Sequence, residues 1–232
     1  MSSSFRCLLR LFCVWGACAF FVSTYAAGLG LCTSGTRQSP IDITGAVRQN
    51  LPPLQFAYRP EPLKIANDGH TVRVRFGLGS ELHIANTVYR LQQFHFHTPG
   101  GDRIGGEEFP MVAHLLHKSP SGQLLALAVL FRLGAQNPTL DKLLPRLPVD
   151  VDGDHVDSDV SVDASALLPP THGYYRYLGS LTAPPCTEGV QWIVMKTATT
   201  LSAAQLAQYK ARFADNSRAV QAINHRTVYE SP

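Results

Sequence analysis

Residues capable of chemistry cluster most tightly in the segment Gln93-Phe94-His95-Phe96-His97. On an extended strand alternate side chains share a face, so Gln93, His95 and His97 point one way and Phe94 and Phe96 the other. Two imidazoles two residues apart can grip one ion. A third is available from His114, which follows the connection from Thr98 to Phe109 and would lie on a neighbouring antiparallel strand. Three neutral imidazoles with an open fourth position make the layout of a catalytic zinc site. His117, three residues beyond His114, should face the other side of its strand. A lone His-x-His also occurs on half-exposed strands with no ligand role, so the pair by itself leaves both readings open.

The elements that must position these residues read mostly as strands. Thr71 to Phe76 alternates, with Val72, Val74 and Phe76 on one face. Glu81 to Ile84 is a short strand, Tyr89 to His97 alternates again, and Met111 to His117 follows. Leu124 to Leu133 is nearly all apolar, as a central strand buried on both faces would be. Gly189 to Met195 is a further strand, and the Gly- and Pro-marked gaps suit antiparallel connections. Two helices are signalled. Asn137-Pro138 is a cap followed by proline at the first helical position. Ser202-x-x-Gln205 is a capping box ahead of Leu206, Tyr209 and Phe213. Val149 to Asp163 carries six aspartates without the closing glutamate of a calcium loop, and is expected to be a solvated acidic loop.

The 232 residues suffice for one domain with a real core. Residues 1–26 read as a secretory signal peptide: Arg6 and Arg10, an apolar run from Leu11 to Val22, then small residues around Ala26. That run is short for a membrane span, which needs about 20 residues, and no later segment is long and apolar enough, so the mature form should have no stable membrane span. Residues 27–232 would then be a single exported domain, periplasmic or secreted. The formal charge is +3, and removing Arg6 and Arg10 lowers it by two, to +1. With no Lys/Arg run, that near-neutral product gives no case for nucleic acid. Cys7, Cys13 and Cys18 would leave with the signal. Cys32 and Cys186 remain, and an even pair in an exported chain suggests one disulfide, the alternative being two unrelated buried thiols.

From Cys32 to about Tyr229 the chain resembles the alpha-class carbonic anhydrases, particularly their bacterial secreted branch. The motifs that carry the resemblance occur in order. They are Gln38-Ser39-Pro40-Ile41-Asp42-Ile43, Asn67-Asp68-Gly69-His70, Phe94-His95-Phe96-His97 and Ala113-His114-Leu115-Leu116-His117, then Gly179-Ser180-Leu181-Thr182-Ala183-Pro184-Pro185-Cys186 with Val190-Gln191-Trp192, and finally Asn216-Ser217-Arg218 and Asn224-His225-Arg226. The resemblance implies a mainly β fold with peripheral helices, a single domain around a large, twisted, mostly antiparallel sheet. It implies zinc on His95, His97 and His114 and the reversible hydration of carbon dioxide to bicarbonate and a proton by zinc-bound hydroxide, a lyase activity. Gln93 would orient His95, and the backbone carbonyl of Asn224 would orient His97. Thr182 would aim the hydroxide. Leu116, Val129, Leu181, Val190 and Trp192 would line the apolar pocket for the gas, and His70 would pass protons to solvent.

Three departures from the family pattern stand out. Gly101 occupies the place of a glutamate that normally accepts the threonine's proton, and Asp102, Glu107 and Glu108 are the nearby carboxylates that could substitute. Restoring Gly101→Glu is expected to raise the rate. Val112 replaces a glutamate that normally partners the third histidine, a loss worth about 10–100-fold in metal affinity or activity. The family's aromatic-rich opening segment ahead of Cys32 is missing. An enzyme of reduced rate, a weak or inactive envelope binding protein, and a zinc esterase are therefore the readings to separate.

Overall fold

A computed structural model describes residues 30–151 and 153–232; the expected signal peptide lies outside the described residues. The strands are β1 (Asp42–Ile43), β2 (Val47–Arg48), β3 (Leu54–Ala57), β4 (Glu61–Asn67), β5 (Val72–Arg75), β6 (Glu81–Ile84), β7 (Thr87–His97), β8 (Arg103–Ile104), β9 (Met111–Lys118) and β10 (Leu124–Leu133). Helix α1 (Pro138–Leu143) follows, then β11 (His155–Val162), β12 (Tyr174–Ser180), β13 (Glu188–Met195), β14 (Thr199–Leu201), helix α2 (Ala203–Phe213) and β15 (Tyr229–Glu230). Both helices start where their caps predict. Asn137 accepts hydrogen bonds from the Thr139 and Leu140 amides, and Ser202 and Gln205 close a reciprocal capping box.

Thirteen strands form one sheet, with the path β11-β4-β5-β7-β9-β10-β13-β12-β15-β2; β14 lies beside β10, and β6 joins β3 to β7. The pairing is mostly antiparallel. The exceptions within this sheet are the parallel β10–β13, β10–β14 and β15–β2 pairs. Between β10 and β13 the chain runs through α1, β11 and β12, enough length for the crossover that a parallel pair demands. β10 is central and buried on both faces, which is why its sequence is a continuous apolar run.

The two faces of the sheet carry separate clusters. On one, Phe94 and Phe96 join Leu115, Leu127, Val129 and Phe131 under α1 and α2, with Tyr209 and Phe213 packed in. On the other, Val112, Ala126, Ala128, Leu130, Tyr177, Val190 and Trp192 pack together. A bulge in β7 decides which face the histidines take. Leu91 pairs with His117 and Gln93 with Leu116, so Gln92 is the extra residue. Before the bulge the odd residues Tyr89 and Leu91 enter the Phe94 cluster; after it the even residues Phe94 and Phe96 do. His95 and His97 are thereby turned to the face opposite Leu91, which unbroken alternation would not have done.

The acidic stretch is not all loop. β11 pairs with β4 as an edge strand, with a register shift between Asp157 and Ser161. Its side chains are exposed except near Val162, so the segment has no apolar period and strand pairing was invisible in its composition. Cys32 and Cys186 are joined in a disulfide across 154 residues. No described helix is long and apolar enough to cross a membrane.

Candidate active site

β7 and β9 lie side by side in the middle of the sheet, with His95 directly opposite His114 and His97 opposite Val112. Cross-strand partners share a face, so His95, His97 and His114 converge. Their ring centroids are 4.9–5.4 Å apart, and one ligand nitrogen from each lies within 4.8 Å of the others. His117 faces the opposite side, as its position on the strand predicted. It is fully buried, shares a hydrogen bond of 2.7 Å with Tyr58 and stacks on that ring.

The imidazoles are held neutral. Burial, reinforced by His97, Arg73 and His70, puts His95 well below the ordinary histidine value. Burial takes His97 to about 4 against the opposing pull of the Asn216 carbonyl. Burial and the other two rings put His114 well below as well. Neutral imidazole is the metal-binding form. Two rings are oriented from behind: His95 Nδ1 donates to Gln93 Oε1 and His97 Nδ1 to the Asn216 carbonyl, both at 2.9 Å. His97 Nε2 is then a buried lone pair with no hydrogen-bond partner, which coordination to a metal would satisfy. Three neutral nitrogen donors, close together and partly unpartnered, fit zinc.

The orienting carbonyl corrects the assignment of that role to Asn224, whose side chain instead donates to the Thr36 carbonyl. Asn216 ties the end of β7 to the His70 turn: its side chain donates to His70 O and Phe96 O and accepts from the Thr98 amide. The Asn216-Ser217-Arg218 motif pointed to it, but a backbone carbonyl leaves no residue-type signal. In the same motif, Arg218 donates to Gln38 Oε1, Ser39 O and Cys32 O, tying the C-terminal tail to the opening motif and the disulfide.

Leu116, Leu181, Val190 and Trp192 border the face that the imidazoles share, with Trp192 edge-on to His114 at 5.0 Å. Val129 does not. His114 pairs with Ala128, so the even residues of β10 face the site, and Val129 packs with Leu127 and Phe131 on the other side. Ala126, opposite both Leu116 and Trp192, occupies the place expected of Val129. His70 is exposed on a turn built by Asn67 and Asp68, its ring 5.8 Å from that of His97. Thr182 is half-buried, and its hydroxyl has no hydrogen-bond partner among the described residues.

None of the three substitute carboxylates reaches Thr182. Glu107 pairs with Arg132 and Glu108 with Arg103. Asp102 is fully buried and accepts from the Ile41 amide and the Tyr177 hydroxyl through Oδ1, while its Oδ2 has no partner. Burial raises its carboxyl from 3.8 to about 6 in spite of those two donors. Nor can Gly101 take a glutamate without movement, since a Cβ there would lie 2.9 Å from Pro40 Cγ. A glutamate there must first displace Pro40, which opposes the expected gain from Gly101→Glu. Val112 is fully buried on the imidazole face and offers no hydrogen-bonding atom, and His114 Nε2 is buried without a partner.

Comparison with known proteins agrees with this geometry. A family model described as eukaryotic-type carbonic anhydrase matches residues 23–232. A carbonic anhydrase of Neisseria gonorrhoeae is 41% identical over 202 residues, 86% of this chain and 79% of that protein. One from Pectobacterium carotovorum is 39% identical over 200 residues, 85% and 81% of the two chains. The solved alpha-carbonic anhydrase of Thermovibrio ammonificans, in complex with the inhibitor sulfanilamide, superposes with a TM-score of 0.84 at 35% identity, covering 90% of this chain and 93% of that one. With the family model spanning all the described residues and the metal motifs meeting on one sheet face, the chain belongs to the eukaryotic-type, or alpha, carbonic anhydrases.

Proposed function

We propose that the protein hydrates carbon dioxide reversibly, releasing bicarbonate and a proton, at zinc held by His95, His97 and His114. The observation that carries this is the convergence of three neutral imidazoles from two adjacent central strands, with His97 Nε2 buried and unpartnered. Zinc bound there supplies a nucleophile at neutral pH by lowering the pKa of coordinated water to about 7, the value already known for carbonic anhydrase as the standard example of this effect.

The chain's own residues do the rest. Gln93 and the Asn216 carbonyl hold the tautomers that present Nε2 of His95 and His97. Leu116, Ala126, Leu181, Val190 and Trp192 form an apolar wall suited to a small gas, and Trp192 is fixed by its donation to the Ser180 carbonyl. Thr182 stands beside this wall to orient the attacking oxygen, but without an acceptor for its own proton. His70 carries protons from the rim to solvent. The turnover is therefore slower than in relatives that retain the two glutamates, since misaimed groups cost up to about 100-fold with the chemistry intact. The signal-like residues 1–26 and the disulfide support export to an oxidising compartment.

Stopped-flow measurement of carbon dioxide hydration on metal-analysed protein is the test. Saturable hydration that tracks zinc content is expected. A fully zinc-loaded protein with no hydration above background would leave the envelope binding protein as the better reading.

A further inference from the structure

A second concavity, of about 490 Å³, lies where β12, β13 and β15 meet the C-terminal tail, and its lining includes Arg37, Arg176, Arg226, Gln191 and Tyr229. No zinc ligand lines it, though Tyr177 does, with the Arg226 guanidinium 5.7 Å over its ring. Tyr177 and Trp192 pair across β12 and β13 and belong to the cluster on the imidazole face. Their neighbours in sequence, Arg176 and Gln191, therefore project from the opposite face. Arg176 lies directly across from Tyr229.

The lining holds three guanidinium groups and no carboxylate. Arg37 is compensated from outside by Glu188, at 3.4 Å. The same Glu188 charge also acts on Arg226, whereas Arg176 has no carboxylate partner among the described residues. Arg226 is fixed by donating from Nε, Nη1 and Nη2 to the backbone carbonyls of Ile223, Leu178 and Ala222, none of which carries a charge. Arg176 rests over the Tyr229 ring at 5.6 Å and makes no ion pair or hydrogen bond among the described residues. Three guanidinium groups thus line one cavity against the single carboxylate of Glu188, and Arg176 has no ion-pair partner among the described residues. Arg226 is held in place before any ligand arrives, so little ordering remains to be done on binding.

We propose that this cavity binds a small organic dianion, its oxyanion groups pairing with Arg176 and Arg226 and its body lying against Tyr229. A planar guanidinium fork matches the oxygens of a phosphate or carboxylate. The volume falls in the range of small-molecule sites and exceeds what one inorganic anion fills.

The test is titration of the zinc-loaded protein with glycerol 3-phosphate, succinate and inorganic phosphate at constant ionic strength. Binding is followed through the Nε–H NMR signals of Arg176 and Arg226. Saturable shifts in both signals below about 10 mM are expected with at least one organic dianion, with inorganic phosphate weaker. Tighter glycerol 3-phosphate assigns a phosphate ester; tighter succinate assigns a dicarboxylate. Arg176→Gln should weaken binding about 10–100-fold, the range for losing charge-assisted hydrogen bonds, while carbon dioxide hydration and thermal midpoint stay unchanged. Shifts that follow total salt, affinity unaltered in a folded Arg176→Gln protein, or no saturation with either organic dianion would each overturn the proposal.

Discussion

Replacing Asp102 with asparagine keeps the oxygen that the Ile41 amide and the Tyr177 hydroxyl use and removes the charge behind it. In the folded protein this carboxyl is raised from 3.8 to about 6, with burial as the largest cause. The folded state therefore holds, between those two values, a proton that the unfolded chain has released. The resulting stability is fully present below 3.8 and is lost as pH rises through about 6. A displacement of that size corresponds to about 3 kcal/mol. Urea denaturation of the wild type and Asp102→Asn, both in the same zinc state, should then give a stability difference that moves by about 2 kcal/mol in favour of asparagine from pH about 4 to pH about 7, most of that total. The new amide nitrogen lies where Oδ2 has no partner and adds an offset that does not vary with pH. Titration of the histidines is common to both proteins and cancels. A difference that stays flat across this range would refute the buried, uncompensated carboxylate.

Zinc content should fall to background in His95→Ala and His114→Ala and remain near one atom per chain in His117→Ala, by metal analysis of the purified proteins; full zinc in His114→Ala would remove the ligand assignment. Gly101→Glu should be no faster in carbon dioxide hydration and less stable by about 1–3 kcal/mol, because its Cβ enters the space of Pro40; a well-folded, faster variant would show that the turn yields. Mass spectrometry of the unreduced exported protein should find the Cys32 and Cys186 peptides linked, and the double serine variant should lose up to about 5 kcal/mol in denaturant, the chain-entropy value for a loop of 154 residues.

The metal cluster was legible because it depends on local parity: His95 and His97 are two apart on one strand, and a hairpin brings in His114. Two other assignments failed where parity had to be carried across strands. Val129 looked like pocket lining, but only the register that sets Ala128 against His114 shows that it faces away. Likewise Asn216 and Asn224 both stand in tail motifs, and the hydrogen bond that separates them comes from a main-chain carbonyl. The bulge at Gln92 has no sequence mark, though it decides the face that the histidines occupy. The helices were legible from their caps, which are local chemistry, whereas β11 was hidden because most of its side chains are exposed and only Val160 and Val162, at its end, reach the core. The two missing glutamates were visible in the sequence, but the closure of the Gly101 site by Pro40 required coordinates.

That acidic edge strand bears on how the molecule meets copies of itself. A thirteen-stranded sheet needs an end, and at this end β11 offers an unpaired row of amides and carbonyls to any passing strand. Asp157 and Asp159 sit on that row with the register broken beside them, and Asp154 lies just before it. A second chain attempting to add there would bring its own aspartates against these, on a strand too irregular to template a long ladder. Asp154 and Asp157 are answered within the chain by Arg75 and Arg146, so Asp159 and the broken register are what this edge sets against an added strand.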